Sequence, residues 1–91
     1  MLPISWSVTA LDDLDTLTDY IAEFDVRAAI AMHDLIEESV RPVSNYPNIF
    51  RQGRIPGTRE IVAHPNYIIV YRVTDTAIEV INVLHSRQEY P

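Results

Sequence analysis

The residues best suited to chemistry lie in one short segment near the end of the chain, His85-Ser86-Arg87-Gln88-Glu89-Tyr90. A histidine titrates near neutral pH, so His85 can act as a general acid or base. Arg87, two residues further on, can stabilise the negative charge that develops on a phosphodiester during its cleavage. The alternative is structural, with His85 capping a sheet through hydrogen bonds and Arg87 pairing with an acid of this chain or of a partner. The residue types and their spacing leave both interpretations open.

Three further arginines, Arg54, Arg59 and Arg72, lie between Gly53 and this segment. All seven cationic side chains of the protein are arginines. The planar guanidinium suits bidentate contacts with carboxylate or phosphate, although a compositional bias towards arginine is the alternative. Arg59 also precedes Glu60, and a flanking ion pair of this kind on a strand is common and weak.

Two common kinds of site are not supported by the sequence. A phosphate-binding loop needs several glycines before a helix, whereas Gly53 and Gly57 are the only glycines and neither precedes a predicted helix. The three histidines, His33, His64 and His85, are predicted on a helix, in a turn and past a strand end, so they do not converge on a metal. We therefore predict no metal and no cofactor.

The elements that must position these residues begin with a β-meander in the C-terminal half. Runs rich in Val, Ile, Thr and Tyr are separated by the turn segments His64-Pro65-Asn66 and Thr74-Asp75-Thr76. The pattern predicts three antiparallel strands, over 58–63, 67–73 and 77–84. The run from Tyr67 to Val73 is apolar on both faces, which predicts a central strand covered by helices on one side.

The N-terminal half predicts a short strand followed by two helices. Residues 4–8 alternate between apolar and polar side chains, as in a half-buried strand, and Pro3 suits an edge position. Thr9 and Asp12 form a capping-box-like start for an amphipathic helix over 10–24. Asp25 can cap a second helix, which Pro42 ends near Arg41. The order is β-α-α-β-β-β, an α+β fold in which a helical hairpin packs on an antiparallel sheet, in one domain spanning 1–91.

Composition and charge restrict the class of protein further. There is no cysteine among the 91 residues, which excludes a disulfide framework and a thiolate zinc site. No apolar run approaches the ~20 residues of a membrane span, so we expect a soluble, cytoplasmic protein without a membrane partner. Residues 1–46 carry nine acids against two arginines, a net charge of −7, whereas residues 47–91 carry four acids against five arginines, a net charge of +1. The two faces of the domain are therefore expected to differ electrostatically.

Several segments together resemble one known family. They are Arg54-Ile55-Pro56-Gly57-Thr58-Arg59-Glu60, the run from His64 to Val73, and Val83-Leu84-His85-Ser86-Arg87-Gln88, together with a tryptophan in the first strand and an acidic first helix. This combination resembles the RelE/ParE superfamily of toxins from bacterial type II toxin–antitoxin systems, over nearly the whole chain. The resemblance implies a compact β-α-α-β-β-β fold and a cognate antitoxin that wraps a segment around the toxin. It also implies a possible higher-order toxin–antitoxin assembly.

We expect the antitoxin to contact the apolar stripe of the helical hairpin. The candidate residues at helical spacing on the two helices are Leu14, Ile21, Ile30 and Ile36. A disordered antitoxin segment would add contacts there and along the sheet edge, with the cost of ordering offset by a large buried area.

The superfamily divides by target. RelE-like members cut mRNA on the ribosome, whereas ParE-like members inhibit DNA gyrase. In the nuclease branch an arginine follows the aromatic residue of the central strand, and Ile68 occupies that position here. Arg87 matches a second arginine of that branch, but Tyr90 lies closer to it than the nuclease tyrosine should. A net charge of −6 is also poorly suited to an RNA cleft, where basic side chains provide affinity by releasing counterions.

The sequence therefore favours a ParE-like gyrase inhibitor that binds its target without catalysis. The predicted target-binding residues are the basic and polar side chains of the C-terminal half: Arg54, Arg59, Arg72, His85, Arg87 and Gln88. The alternative is a ribosome-dependent endoribonuclease in which His85, Arg87 and Tyr90 are catalytic, with the ribosome and mRNA as partners. A second alternative is a non-toxic interaction partner.

Overall fold

The chain folds into one mixed sheet with a helical hairpin on one face. The computed structural model describes residues 1–90. Its elements, in chain order, are β1 (Ile4–Trp6), α1 (Val8–Ala22), α2 (Val26–Val40), a 3₁₀ turn (Arg41–Ser44), β2 (Arg51–Gln52), β3 (Arg59–His64), β4 (Tyr67–Val73) and β5 (Ile78–His85). The α+β class and the predicted order of strand, helical hairpin and meander are confirmed.

The sheet has the strand order β1-β5-β4-β3-β2. Strands β3, β4 and β5 form the predicted antiparallel meander. The sheet is wider than predicted, because the two-residue β2 pairs with β3 at one edge and β1 pairs in parallel with β5 at the other. Pro3 stands just before the edge strand β1, as expected, and its carbonyl accepts the Ile78 amide at 2.8 Å.

Strand β4 lies at the centre of the sheet and is buried from Ile68 to Tyr71. Successive side chains of a strand point to opposite faces, and here both faces are apolar. The main core lies between the sheet and the helices and includes Ile69 and Tyr71 of β4 with Leu14 and Ile36 of the hairpin. A smaller apolar cluster lies on the outer face of the sheet, away from the helices. It consists of Ile68, Val70 and Leu84, with Ile81 and Tyr90 packed against it.

Helix α1 begins two residues earlier than the capping pattern predicts. Ser7 is its N-cap and accepts the Ala10 amide at 3.0 Å, so the predicted start at Thr9 is wrong. The Ser7 hydroxyl also donates to the carbonyl of Ile81 at 3.1 Å, which ties the helix start to β5. The helix ends at Ala22 and leaves Phe24 in the turn. Asp25 caps α2 as predicted, with its carboxylate accepting the Ala28 amide at 3.1 Å.

The hairpin is anchored to the sheet by a side chain of α1. One oxygen of Asp13 accepts the amide of Val83 at 3.0 Å and the side-chain amide of Asn82 at 3.2 Å. Both partners belong to β5, so α1 is fixed against the strand next to the centre of the sheet. In the part of the chain that the structure describes, neither helix is long and apolar enough to cross a membrane.

Candidate functional site

The outer face of the sheet carries a cluster of charged side chains around one buried acid. Glu60 of β3 is only 3% exposed. Arg51 of β2 approaches its Oε1 at 2.9 Å, and the Arg54 amide donates to its Oε2 at 3.2 Å. The Tyr90 hydroxyl donates to the same oxygen, and the Arg54 guanidinium lies 4.6 Å above the centre of the Tyr90 ring. We call Glu60, Arg51, Arg54 and Tyr90 the Glu60 cluster.

Arg59 is not part of this cluster, although it is adjacent to Glu60 in sequence. Its guanidinium donates to the backbone carbonyls of Phe50 at 2.8 Å and Asn48 at 3.4 Å. The flanking Arg59–Glu60 pair considered from the sequence is therefore wrong, because alternate residues of a strand face opposite sides of the sheet. Arg59 holds the loop that leads into β2, and its hydrogen-bonding capacity is partly used there.

Arg72 and Glu79 form a separate cross-strand ion pair. They are directly opposite each other on β4 and β5, and Arg72 Nε lies 2.8 Å from Glu79 Oε1. Both side chains are exposed, so the pair contributes little stability. Arg72 remains accessible to a partner.

Three aromatic rings form a row at one end of the sheet, where β3 ends, β4 begins and β5 ends. The Tyr67 ring is flanked by His64 at 5.9 Å and by His85 at 5.6 Å between ring centres. Each histidine accepts a backbone amide at Nδ1, from Asn66 at 3.0 Å and from Arg87 at 3.1 Å respectively. His64 and His85 therefore lie on the two sides of the Tyr67 ring. Each Nε2 remains available to an outside group.

His85 and Gln88 border a groove between this row and helix α1. The groove has a volume of about 650 Å³, and its lining includes Leu17, Tyr20 and Tyr67. The Gln88 amide donates to the carbonyl of His85 at 2.9 Å, which turns the chain back after β5. His85 therefore faces the helix side of the sheet end, whereas Tyr90 packs on the outer face. The three residues of the nuclease alternative, His85, Arg87 and Tyr90, do not form one cluster.

The helical hairpin exposes an apolar surface around its turn. Tyr20, Phe24, Val26 and Ile30 are 63%, 76%, 62% and 58% exposed. We call these four residues the hairpin surface. A shallow groove of about 270 Å³ between the two helices adjoins it, with Val26 and Ile30 in its lining.

Two of the four predicted antitoxin contacts are not at the surface. Leu14 is 3% exposed and Ile36 is fully buried. Both belong to the main core, so the expectation that they contact a partner directly is wrong. Helical spacing shows which residues share a face, but not how far along the helix the sheet covers that face. Ile30 is exposed, and Ile21 is partly buried.

The buried hydroxyl of Tyr71 contributes to structure and lies away from these surfaces. It donates to the carbonyl of Pro47 at 2.7 Å. Burial raises the pKa of Tyr71 above its ordinary value of 10.0, and the charge of Arg59 partly opposes that effect. Tyr71 is therefore a neutral hydrogen-bond donor at physiological pH.

Comparison with known proteins identifies the family. The sequence model of the ParE toxin of the parDE type II toxin–antitoxin system matches residues 4–90. The chain belongs to this family.

Two relatives support the assignment. The toxin is 38% identical over 89 residues to the protein Y4kP of Sinorhizobium fredii, covering 97% of this chain and 92% of that one. It is 31% identical over 88 residues to the toxin RelE2 of Caulobacter vibrioides, covering 94% and 97%. The fold is also that of a solved chain of a chromosomal ParDE system from P. aeruginosa, with a TM-score of 0.82, 22% identity and coverage of 93% and 96%.

Membership makes this chain a toxin component with a cognate antitoxin as its partner. The matched family is named for ParE and one relative is named RelE2, so these names do not determine the target. Sequence reasoning missed the role of Glu60 and of Arg51. The available signal was an acid directly before the apolar run Ile61-Val62-Ala63, in the half of the chain that carries five arginines.

Proposed function

We propose that this toxin inhibits DNA gyrase by binding and does not cleave RNA. The observation that carries this proposal is the position of Ile68. In the nuclease branch, the resemblance places an arginine there, whereas Ile68 is 4% exposed and packs with Val70 and Leu84. A phosphate brought to this point would meet an apolar surface, with no cation from position 68 to stabilise a pentacoordinate phosphorus.

The other charged groups on this face also fit binding better than catalysis. Arg51 and Arg54 share one carboxylate, and the Tyr90 hydroxyl is bound to that same carboxylate. A general acid or base must reach the proton it transfers, and here the tyrosine and His85 face different sides of the sheet. The groups needed for RNA cleavage are therefore separated, while the exposed side chains of Arg72 and Arg87 are accessible to a target.

The proposed target-binding surface comprises the basic side of the sheet and the segment after β5. Its arginines are available for contacts with carboxylates of a protein or phosphates of DNA. The acidic hairpin lies on the opposite face, so the charge asymmetry orients the toxin towards an anionic partner.

The proposed antitoxin-binding surface is the hairpin surface, which belongs to the helical face of the molecule and reaches the groove beside His85 and Gln88 through Tyr20. The four exposed apolar side chains there are interspersed in sequence with three exposed acids, Asp19, Glu23 and Asp25, against one arginine, Arg27. A second copy of the toxin would bring a second acidic hairpin, which like-charge repulsion disfavours. An amphipathic antitoxin segment with apolar anchors and basic flanks is complementary to it.

The direct test is a supercoiling assay with purified gyrase. We expect inhibition at toxin concentrations that stop growth, with release on addition of antitoxin. Arg87→Gln should weaken inhibition, whereas Arg41→Gln, which removes the same charge from the helical side, should not. Absence of inhibition by the wild-type toxin would refute the proposal.

Two further assays identify the alternatives. Cleavage of mRNA at the ribosomal A site in a translation extract would establish the nuclease alternative. Unimpaired growth when the toxin is expressed without its antitoxin would establish the non-toxic one.

A further inference from the structure

Glu60 is a buried carboxylate for which the proposed function has no direct use. Burial of a charged group is costly unless hydrogen bonds and opposite charges compensate for it. Here the compensating groups come from two separate segments of the chain. Arg51 and Arg54 belong to β2 and the loop after it, whereas Tyr90 belongs to the segment after β5. We call residues 86–90 the tail.

The first half of the tail is fixed close to β5. The Ser86 amide donates to the carbonyl of Asn66 at 2.7 Å, and the amides of Arg87 and Gln88 both donate to His85. In the described chain, the hydrogen bond that holds the second half is the one from the Tyr90 hydroxyl to Glu60. The Arg54 guanidinium covers the ring from above, and Glu60 positions Arg54 through its backbone amide.

The position of the tail also determines which side chains are exposed on the outer face of the sheet. With Tyr90 in place, the outer cluster of Ile68, Val70 and Leu84 is covered. The tail then crosses the sheet from the end of β5 towards β3. Arg87 and Gln88 are held at the end of β5 by their own backbone hydrogen bonds, and Tyr90 brings the end of the tail against Arg54.

We propose that Glu60 is a positioning residue. It holds the tail across the outer face of the sheet through Tyr90 and thereby joins Arg54, Arg87 and Gln88 into one surface. The target of that surface rests on the proposed function, whereas the positioning itself is a property of the free toxin.

The first test measures the order of the tail in the free toxin by ¹⁵N relaxation. Glu60→Gln keeps the shape of the side chain but removes its charge, and Tyr90→Phe keeps the ring but removes the hydroxyl. In Tyr90→Phe we expect the order parameters of the backbone amides at positions 89 and 90 to fall below about 0.6, the range of a flexible segment. In Glu60→Gln the amide oxygen can still accept the Tyr90 hydroxyl without the charge of the carboxylate, so we expect a smaller fall. Glu79→Gln is the matched control, because it breaks a cross-strand arginine pair that does not touch the tail.

Folding of the variants is checked by the dispersion of the remaining amide signals. Arg51 and Arg54 are 56% and 45% exposed, so both can be solvated when Glu60 is neutralised. If Glu60→Gln does not fold, Tyr90→Phe alone decides. A tail as ordered in Tyr90→Phe as in the wild type overturns the proposal, whatever the target is.

The second test measures supercoiling inhibition by the same variants. We expect Tyr90→Phe to raise the inhibitory concentration about tenfold, the size expected for a lost hydrogen bond to a charged group, and Glu60→Gln to raise it less. The double variant should be no weaker than Tyr90→Phe, because both changes act on the same contact. If the tail is mobile in a variant but inhibition is unchanged, the proposal that the tail joins these residues into one binding surface is wrong. If the wild-type toxin does not inhibit gyrase, the proposed function is refuted. The relaxation measurement on the free toxin then still decides whether Glu60 positions the tail.

Discussion

Replacing Phe24 and Ile30 by serine tests the hairpin surface as the antitoxin-binding site. Burying a large apolar side chain completely contributes about 1.5–3 kcal/mol. In the free toxin, 76% of Phe24 and 58% of Ile30 are exposed, so most of this contribution is available to a partner. If the antitoxin covers both side chains, their loss weakens binding by about 2–4 kcal/mol, which corresponds to about 30-fold to 900-fold in Kd.

The assay is titration calorimetry of purified antitoxin into the double variant. Val8→Ser is the matched control, because Val8 is apolar and 75% exposed but lies at the other end of α1. The rise of about 1.5 Å per residue places it about 20 Å from the turn. All three positions are exposed, so the melting temperatures of the variants should stay close to that of the wild type. A Kd within twofold of the wild-type value for the double variant would refute the placement of the antitoxin.

Three further predictions concern the fold. Tyr71→Phe loses the 2.7 Å hydrogen bond to Pro47 and should lower the free energy of unfolding by about 1–2 kcal/mol in urea at pH 7. Because the pKa of Tyr71 is raised in the folded protein, the hydroxyl's contribution to the free energy of unfolding is fully present below pH 10.0 and is lost as pH rises through the folded pKa. Urea unfolding over a pH series should show this loss in the wild type and not in Tyr71→Phe. Asp13→Ala leaves the Val83 amide without its acceptor and should cost about 1–3 kcal/mol, measured by thermal unfolding; an unchanged melting temperature would contradict the anchoring of α1. Gly57 has φ +82° and open space beside its Cα, so Gly57→Ala should lower the free energy of unfolding by about 1–2 kcal/mol through backbone strain alone. Urea unfolding should show a lower midpoint with an unchanged m-value.

The sequence predicts local structure well where one signal dominates. The strand over Tyr67–Val73 has its predicted bounds, because it is apolar on both faces and lies between two clear turns. The pairing of β1 with β5 could not be predicted in the same way. Ile4 is opposite Ile78, and nothing in the alternation of either segment specifies a partner so distant in the chain.

The candidate site shows the same limit. Periodicity identifies the apolar stripe of each helix, but it cannot show that the sheet covers Leu14 and Ile36 while Phe24 and Ile30 extend beyond it. Glu60 and Arg59 are adjacent in sequence, which suggested a pair between them. Successive side chains of a strand point to opposite faces of the sheet, so the two do not pair. Charge partners across a sheet depend on register, which a single sequence does not contain.

The position of β5 between β1 and β4 has a consequence for the synthesis of the toxin. The first strand finds its partner only when residues 78–85 have left the ribosome, since β5 is its neighbour in the sheet. Until then α1 lacks the backbone amide that Asp13 accepts, and the central strand lacks one of its two neighbours. Contacts between such distant segments form late and slowly. A nascent chain therefore remains without its complete sheet, and so without the surface proposed to bind the target, until β5 is made. An antitoxin that binds the hairpin surface as proposed has this interval in which to bind before the target does.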